Sequence, residues 1–88
     1  MSGYVLGRDA ARDLEDLWGY IAEDNLDAAD RVIANLFEAF ENLSQFPGMG
    51  HPRQDLTNLP VVFWPVGNYL VIYRARQSTV EIVAVIIL

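Results

Sequence analysis

Residues 61–88 read VVFWPVGNYLVIYRARQSTVEIVAVIIL, a stretch where apolar residues crowd together without helical spacing and turn residues fall at two points. Val61 to Val66 is β-branched and aromatic, Gly67-Asn68 suits a two-residue turn of type II′, and Tyr69 to Tyr73 returns as the partner strand. Pro65 has no backbone N–H to give, which places the first of these strands at an edge or a bulge. A loop from Arg76 to Thr79 leads to a third run, Val80 to Leu88, and the three form an antiparallel meander. Alternation leaves both faces apolar. Leu70 and Ile72 oppose Tyr69, Val71 and Tyr73; Val80, Ile82, Ala84 and Ile86 oppose Val83, Val85 and Ile87. Antiparallel sheets with a solvated side normally alternate apolar with polar residues, so both faces here need cover.

The upstream half supplies helices. Tyr4-Val5-Leu6, closed by Gly7, reads as a short strand, and a first helix begins near Asp9 with Ala10, Leu14, Leu17 and Ile21 at helical spacing beside Trp18. It stops by Asp24-Asn25. Asn25 then caps a second helix whose stripe of Ala29, Val32, Ile33, Leu36, Phe37, Phe40 and Leu43 runs to the break at Pro47-Gly48, with an Asp27/Arg31 pair on its polar side. So short a connection makes the two helices antiparallel neighbours. Pro47 to Pro60 reads as a structured loop. The expected fold is α+β: a short N-terminal strand, an αα-hairpin, and a curved three-stranded meander with the hairpin on one face. For the other face the expected cover is a second chain; the alternative is that curvature and the Pro47 to Pro60 loop hide it internally. Burying a few large side chains at roughly 1.5–3 kcal/mol each would make a partner bind firmly.

A chain of 88 residues is expected to form one domain, residues 1–88. Cysteine is absent and His51 is the single histidine, which excludes disulfides, thiolate zinc sites, Cys nucleophiles and multi-imidazole metal centres. Twelve acidic residues face six arginines and no lysine, a formal charge of −6, which argues against nonspecific or sequence-specific nucleic-acid binding. No basic stretch and apolar core open the chain as a secretory signal would, and no apolar run is long enough to span a membrane; a cytoplasmic protein without cofactor is the expectation.

Six segments in order resemble the ParE toxins of the ParE/RelE superfamily. Tyr4-Val5-Leu6 resembles the family's opening strand, and AARDLEDLWGYI from Ala10 is similar to A-x-x-D-L-x-x-I-W-x-Y-I. NLDAADR (25–31) resembles the start of the second helix, FPGMGHPRQDL (46–56) the loop F-P-x-M-G-x-x-R-x-D-L, PVGNYLVIYR (65–74) the hairpin P-V-G-x-Y-L-I-x-Y-R, and VEIV (80–83) the closing strand. The resemblance implies the toxin of a type II toxin–antitoxin pair, held inactive by a ParD-like antitoxin and poisoning DNA gyrase. RelE-like relatives instead cut mRNA in the ribosome, which needs clustered cations and a general acid and base. Here lysine is absent and Ala84 stands where many relatives carry Arg, so the resemblance points away from a nuclease. Gly7-Arg8 replaces a common Thr-Pro, Leu26 a common Pro, and Ile86-Ile87-Leu88 stands where relatives continue V-L-H-G-x-R-D; loss of that His-Gly-Arg tail would leave antitoxin binding with weakened poisoning.

The residues expected to touch antitoxin or target are Arg53, Trp64, Tyr69, Arg74 and Arg76, with no catalytic set. Arg74 and Arg76, two apart on one strand face, could form a cationic rim or be solvated edge charges. Trp64 and Tyr69 flank the hairpin turn as interface anchors or as packing residues. His51, Arg53 and Asp55 suit ordering of their loop better than acid–base work. Trp18 and Tyr20 suit packing, and Glu81 has no evident partner.

Overall fold

β1 (Tyr4–Leu6) leads into α1 (Arg8–Ala22) and α2 (Leu26–Gln45); a 3₁₀ turn at Pro47–Met49 and an irregular loop then precede β2 (Val62–Val66), β3 (Tyr69–Arg76) and β4 (Thr79–Ile87). This computed structural model describes residues 3–88; Met1 and Ser2, which open the expected domain, lie outside the described residues. The helices form where the spacing placed them. Asn25 caps α2 by accepting the Ala28 N–H on its side-chain oxygen (2.9 Å), and the Asp24 and Asn25 N–H groups both return to Ile21 O, which closes α1. Trp18 ties the hairpin together through its indole N–H to Asp30 (2.9 Å). Asn25→Ala is expected to lower stability by about 1 kcal/mol, read as a lower urea midpoint with unchanged m-value.

The sheet differs from the expected meander in one strand. Its order is β1-β4-β3-β2, with β1 parallel to β4 (Tyr4↔Val80, Val5↔Glu81, Leu6↔Ile82). Val80 N–H donates to Gly3 O and Gly7 N–H to Ile82 O, both at 2.8 Å, so β1 satisfies backbone groups that the outer edge of β4 would otherwise leave bare. The first segment is thus the fourth strand of a mixed sheet.

A second difference lies inside β4. Ile72 pairs with Ala84 but Tyr73 with Ile82, which leaves Val83 as a bulge. Alternation does not hold along the whole strand: Val80 and Ile82 face the helices, and past the bulge Val85, not Ala84, takes over. These three meet Ala10, Leu14 and Leu17 of α1, Leu36, Phe40 and Leu43 of α2, and Val71 and Tyr73 of β3 in the main core.

The opposite face is partly self-covered. Val61, Phe63 and Leu70 are buried there, with Ile72 and Val83 packed against them. The loop contributes by pairing His51 with Phe63 in both directions (3.0 and 2.9 Å) along the outer edge of β2. Pro65 has the same parity as Phe63, so its missing N–H lies on that outer edge and costs no ladder bond. Val5 (53 % exposed) and Ile86 (44 %) remain open to solvent. Of the two covers weighed from the sequence, the loop shields the β2 side, and the β1–β4 side is left bare. At the hairpin turn Gly67 takes φ 58° while Asn68 does not turn positive, as a type II′ turn requires.

Candidate functional site

Register fixes which side chains share the bare half of the sheet. Arg74 stands opposite Glu81 across β3 and β4, and Arg76 lies two residues further on the same face. Arg74 Nε and Arg76 Nη1 both donate to one oxygen, Glu81 Oε1, at 2.9 and 3.0 Å. Glu81, without an evident partner in the sequence, is in fact the hub of two ion pairs. Its second oxygen lies against Gly7 at the N-terminus of α1, where a Cβ would come within 3.2 Å of it, and an acid there suits the helix dipole. Gly7 brings no side-chain cap of its own.

Arg74, then Arg76, hold the Glu81 carboxyl below its ordinary range, against a smaller opposing effect of burial. A carboxyl with a lowered folded pKa contributes stability that is present above its unfolded pKa and lost as pH falls through the folded one. Glu81→Gln is therefore expected to lose less stability than the parent as pH falls below about 5, measured by thermal unfolding at decreasing pH.

Arg53 lies elsewhere, in the loop beside β2. It grips Asp55 with two bonds, Nε to Oδ1 (3.0 Å) and Nη2 to Oδ2 (2.8 Å), and the pair raises the arginine pKa and lowers that of Asp55. Both side chains are well exposed, so the bridge adds little to stability and chiefly shapes the loop. His51 is tied in by its backbone. Together with Arg53, Phe63, Pro65, Leu70 and Leu88 it lines a cavity of about 300 Å³ that neither Arg74 nor Arg76 reaches.

Trp64 and Tyr69 belong to the other side. Each is half-buried against the helix-facing core. Tyr69 also borders a groove of about 390 Å³ between α1 and the sheet, walled by Asp13, Asp16, Leu17, Tyr20, Val85 and Ile87. At its base Asp13 accepts the Val85 N–H (3.0 Å), which fastens α1 to the strand just past the bulge. Trp18 reaches across the hairpin to Asp30 but stays 40 % exposed, and Tyr20 is largely exposed on the groove rim.

The five residues expected at an interface thus occupy three places: Arg74 and Arg76 on the bare sheet face, Arg53 in the loop, Trp64 and Tyr69 toward the helices. Two contributors escaped the sequence reading, Glu81 and Tyr73. The buried Tyr73 hydroxyl donates to Pro47 O (2.7 Å) and accepts the Gly50 N–H (2.8 Å), and so holds in place the loop that carries His51 and Arg53. Counting back from the two-residue turn at Gln77-Ser78 would have paired Arg74 with Glu81; no local signal marks the Tyr73 contacts. Among the described residues no group of three His, Asp or Glu side chains comes together in a metal-binding arrangement, and no helix is long and apolar enough to cross a membrane.

Comparison with known proteins agrees with this architecture. A candidate toxin, Y4kP, of Sinorhizobium fredii is 33 % identical over 76 residues, covering 86 % of this chain and 77 % of the relative. Toxin ParE1 of Caulobacter vibrioides is 29 % identical over 90 aligned positions, covering 92 % and 94 %. The solved chromosomal ParDE TA system from P. aeruginosa contains a chain that superposes with a TM-score of 0.79 at 18 % identity, over 100 % of this chain and 97 % of that one, a likeness of fold. The sequence profile described as "ParE toxin of type II toxin-antitoxin system, parDE" matches residues 4–87, nearly the whole chain, and by that match the chain belongs to the ParE toxin family.

Proposed function

We propose that this ParE-family toxin acts in the cytoplasm as a single domain and by binding rather than by catalysis, that DNA gyrase is its target, and that a ParD-like antitoxin neutralises it. One observation carries the reading. The guanidiniums expected at the site do not converge: Arg53 is bound to Asp55 in the loop and lines the cavity beside His51, which Arg74 and Arg76, bound to Glu81, do not reach. A ribonuclease would need cations converging on one phosphate with an acid and a base in reach. What the surface offers instead is aliphatic area, Val5 and Ile86, beside paired charges, which is how a protein interface is built.

Induced expression without antitoxin tests the proposal. DNA breaks, SOS induction and filamentation with intact transcripts are expected; transcript cleavage at ribosomal A-site codons would replace it with the RelE-like activity. Absence of toxicity would mark a toxin that retains antitoxin binding alone.

A further inference from the structure

From the shared bonds to Glu81 we infer that Arg74 and Arg76 form a preset receptor for one carboxylate of the antitoxin, set in a segment whose neighbouring aliphatic residues lie on Val5, Ile72, Val83 and Ile86. This deepens, and rests on, the toxin–antitoxin reading above.

Geometry supplies the receptor. Because both arginines donate to the same oxygen, their planar groups are held side by side before any partner arrives. Each guanidinium has five N–H donors, and Glu81 takes one from each. The carboxylate sits low, 18 % exposed, under arginines that are 41 % and 61 % exposed, so the face turned to solvent is cationic. Two cations against one anion leave a positive excess on a chain whose net charge is −6. Arg53 contrasts with this: its fork is closed on Asp55 by two parallel bonds.

The surroundings select the partner's chemistry. Val5 lies directly across from Glu81 and is half exposed, and Ile72 and Val83 extend the apolar strip along the same face toward Ile86. A nucleic acid would bring a run of phosphates against an acidic protein and would leave that strip unused. A single carboxylate flanked by aliphatic side chains uses both features.

The test takes the toxin co-expressed with a ParD-like antitoxin, purified as the complex, with affinity and its salt dependence measured on the separated and recombined chains. Arg74→Gln/Arg76→Gln is expected to weaken binding at least tenfold and to flatten the salt dependence, and Arg76→Gln alone, at an exposed site, to do so in part. Arg76→Lys should restore charge but only some affinity, since a point charge replaces a fork. Arg31→Gln, which removes the same charge from an exposed position on α2, should leave affinity within twofold. A folded double variant that binds with parent affinity and parent salt dependence overturns the receptor while leaving the toxin–antitoxin reading intact. An equal loss in Arg31→Gln also overturns it, as a bulk charge effect. Failure of the parent chain to bind ParD-like antitoxins overturns both.

Discussion

Replacing Phe40 by alanine is expected to remove about 3–5 kcal/mol of stability, among the largest losses of any single truncation in this fold. Phe40 is fully buried on the α2 stripe, and its ring meets Tyr4 of β1 edge-on (centroids 5.6 Å apart) and Phe37 (5.7 Å). It therefore joins the helical hairpin to the strand that closes the sheet. A void there cannot collapse easily, because Leu36 and Leu43 on the same helix and Ile82 opposite are themselves fully buried. Domains of this kind hold about 5–15 kcal/mol in total, so the variant should stand near its unfolding threshold at growth temperature. Urea unfolding measures it. A fall below about 1 kcal/mol would mean that the hairpin does not pack on this face.

Tyr73→Phe is the second. The ring stays, but Pro47 C=O and Gly50 N–H lose their common partner, at an expected cost of about 2 kcal/mol. The damage should be local. Hydrogen exchange is expected to rise at Gly50 and His51, because the 3₁₀ turn and the His51–Phe63 bridge hang from the hydroxyl. Gly50→Ala should act alike, since a Cβ there collides with the Tyr73 hydroxyl and ring. Burial raises the phenol's pKa above its ordinary 10.0. Its contribution is thus complete below the unfolded pKa and lost as pH rises through the folded one, so the parent should weaken on the alkaline side more than Tyr73→Phe. Unchanged protection at Gly50 and His51 in the variant would show that the loop is held by something else.

The features read correctly from the sequence are the ones whose cause is local. Helical spacing from Ala10 to Leu43, the Asn25 cap, the Gly67 turn and the edge position of Pro65 each depend on a few neighbouring residues. What escaped depends on distant partners or on uniform composition. β1 pairs with a strand more than seventy positions away, and nothing in Tyr4-Val5-Leu6 names that partner. The Val83 bulge is invisible because Val80 to Leu88 is apolar on both sides apart from Glu81, so a slip in alternation changes no visible pattern. Tyr73 reads as one more hydrophobe in a strand; its hydroxyl partners lie 23 and 26 positions earlier. For the candidate site, the two arginines on one face were legible, while the acid that organises them needed the register of a hairpin whose turn is shorter than the loop expected from Arg76 to Thr79.

The claim that toxicity is occupation of a partner, with no chemistry of the toxin's own, is tested most directly by titrating the purified chain into gyrase on supercoiled DNA and, in parallel, into ribosomes stalled on mRNA. Cleaved-DNA complexes are expected to accumulate in proportion to toxin and to saturate at stoichiometric amounts, with the mRNA intact. Repeated cutting of ribosome-bound mRNA by substoichiometric toxin, with gyrase unaffected, would contradict the claim.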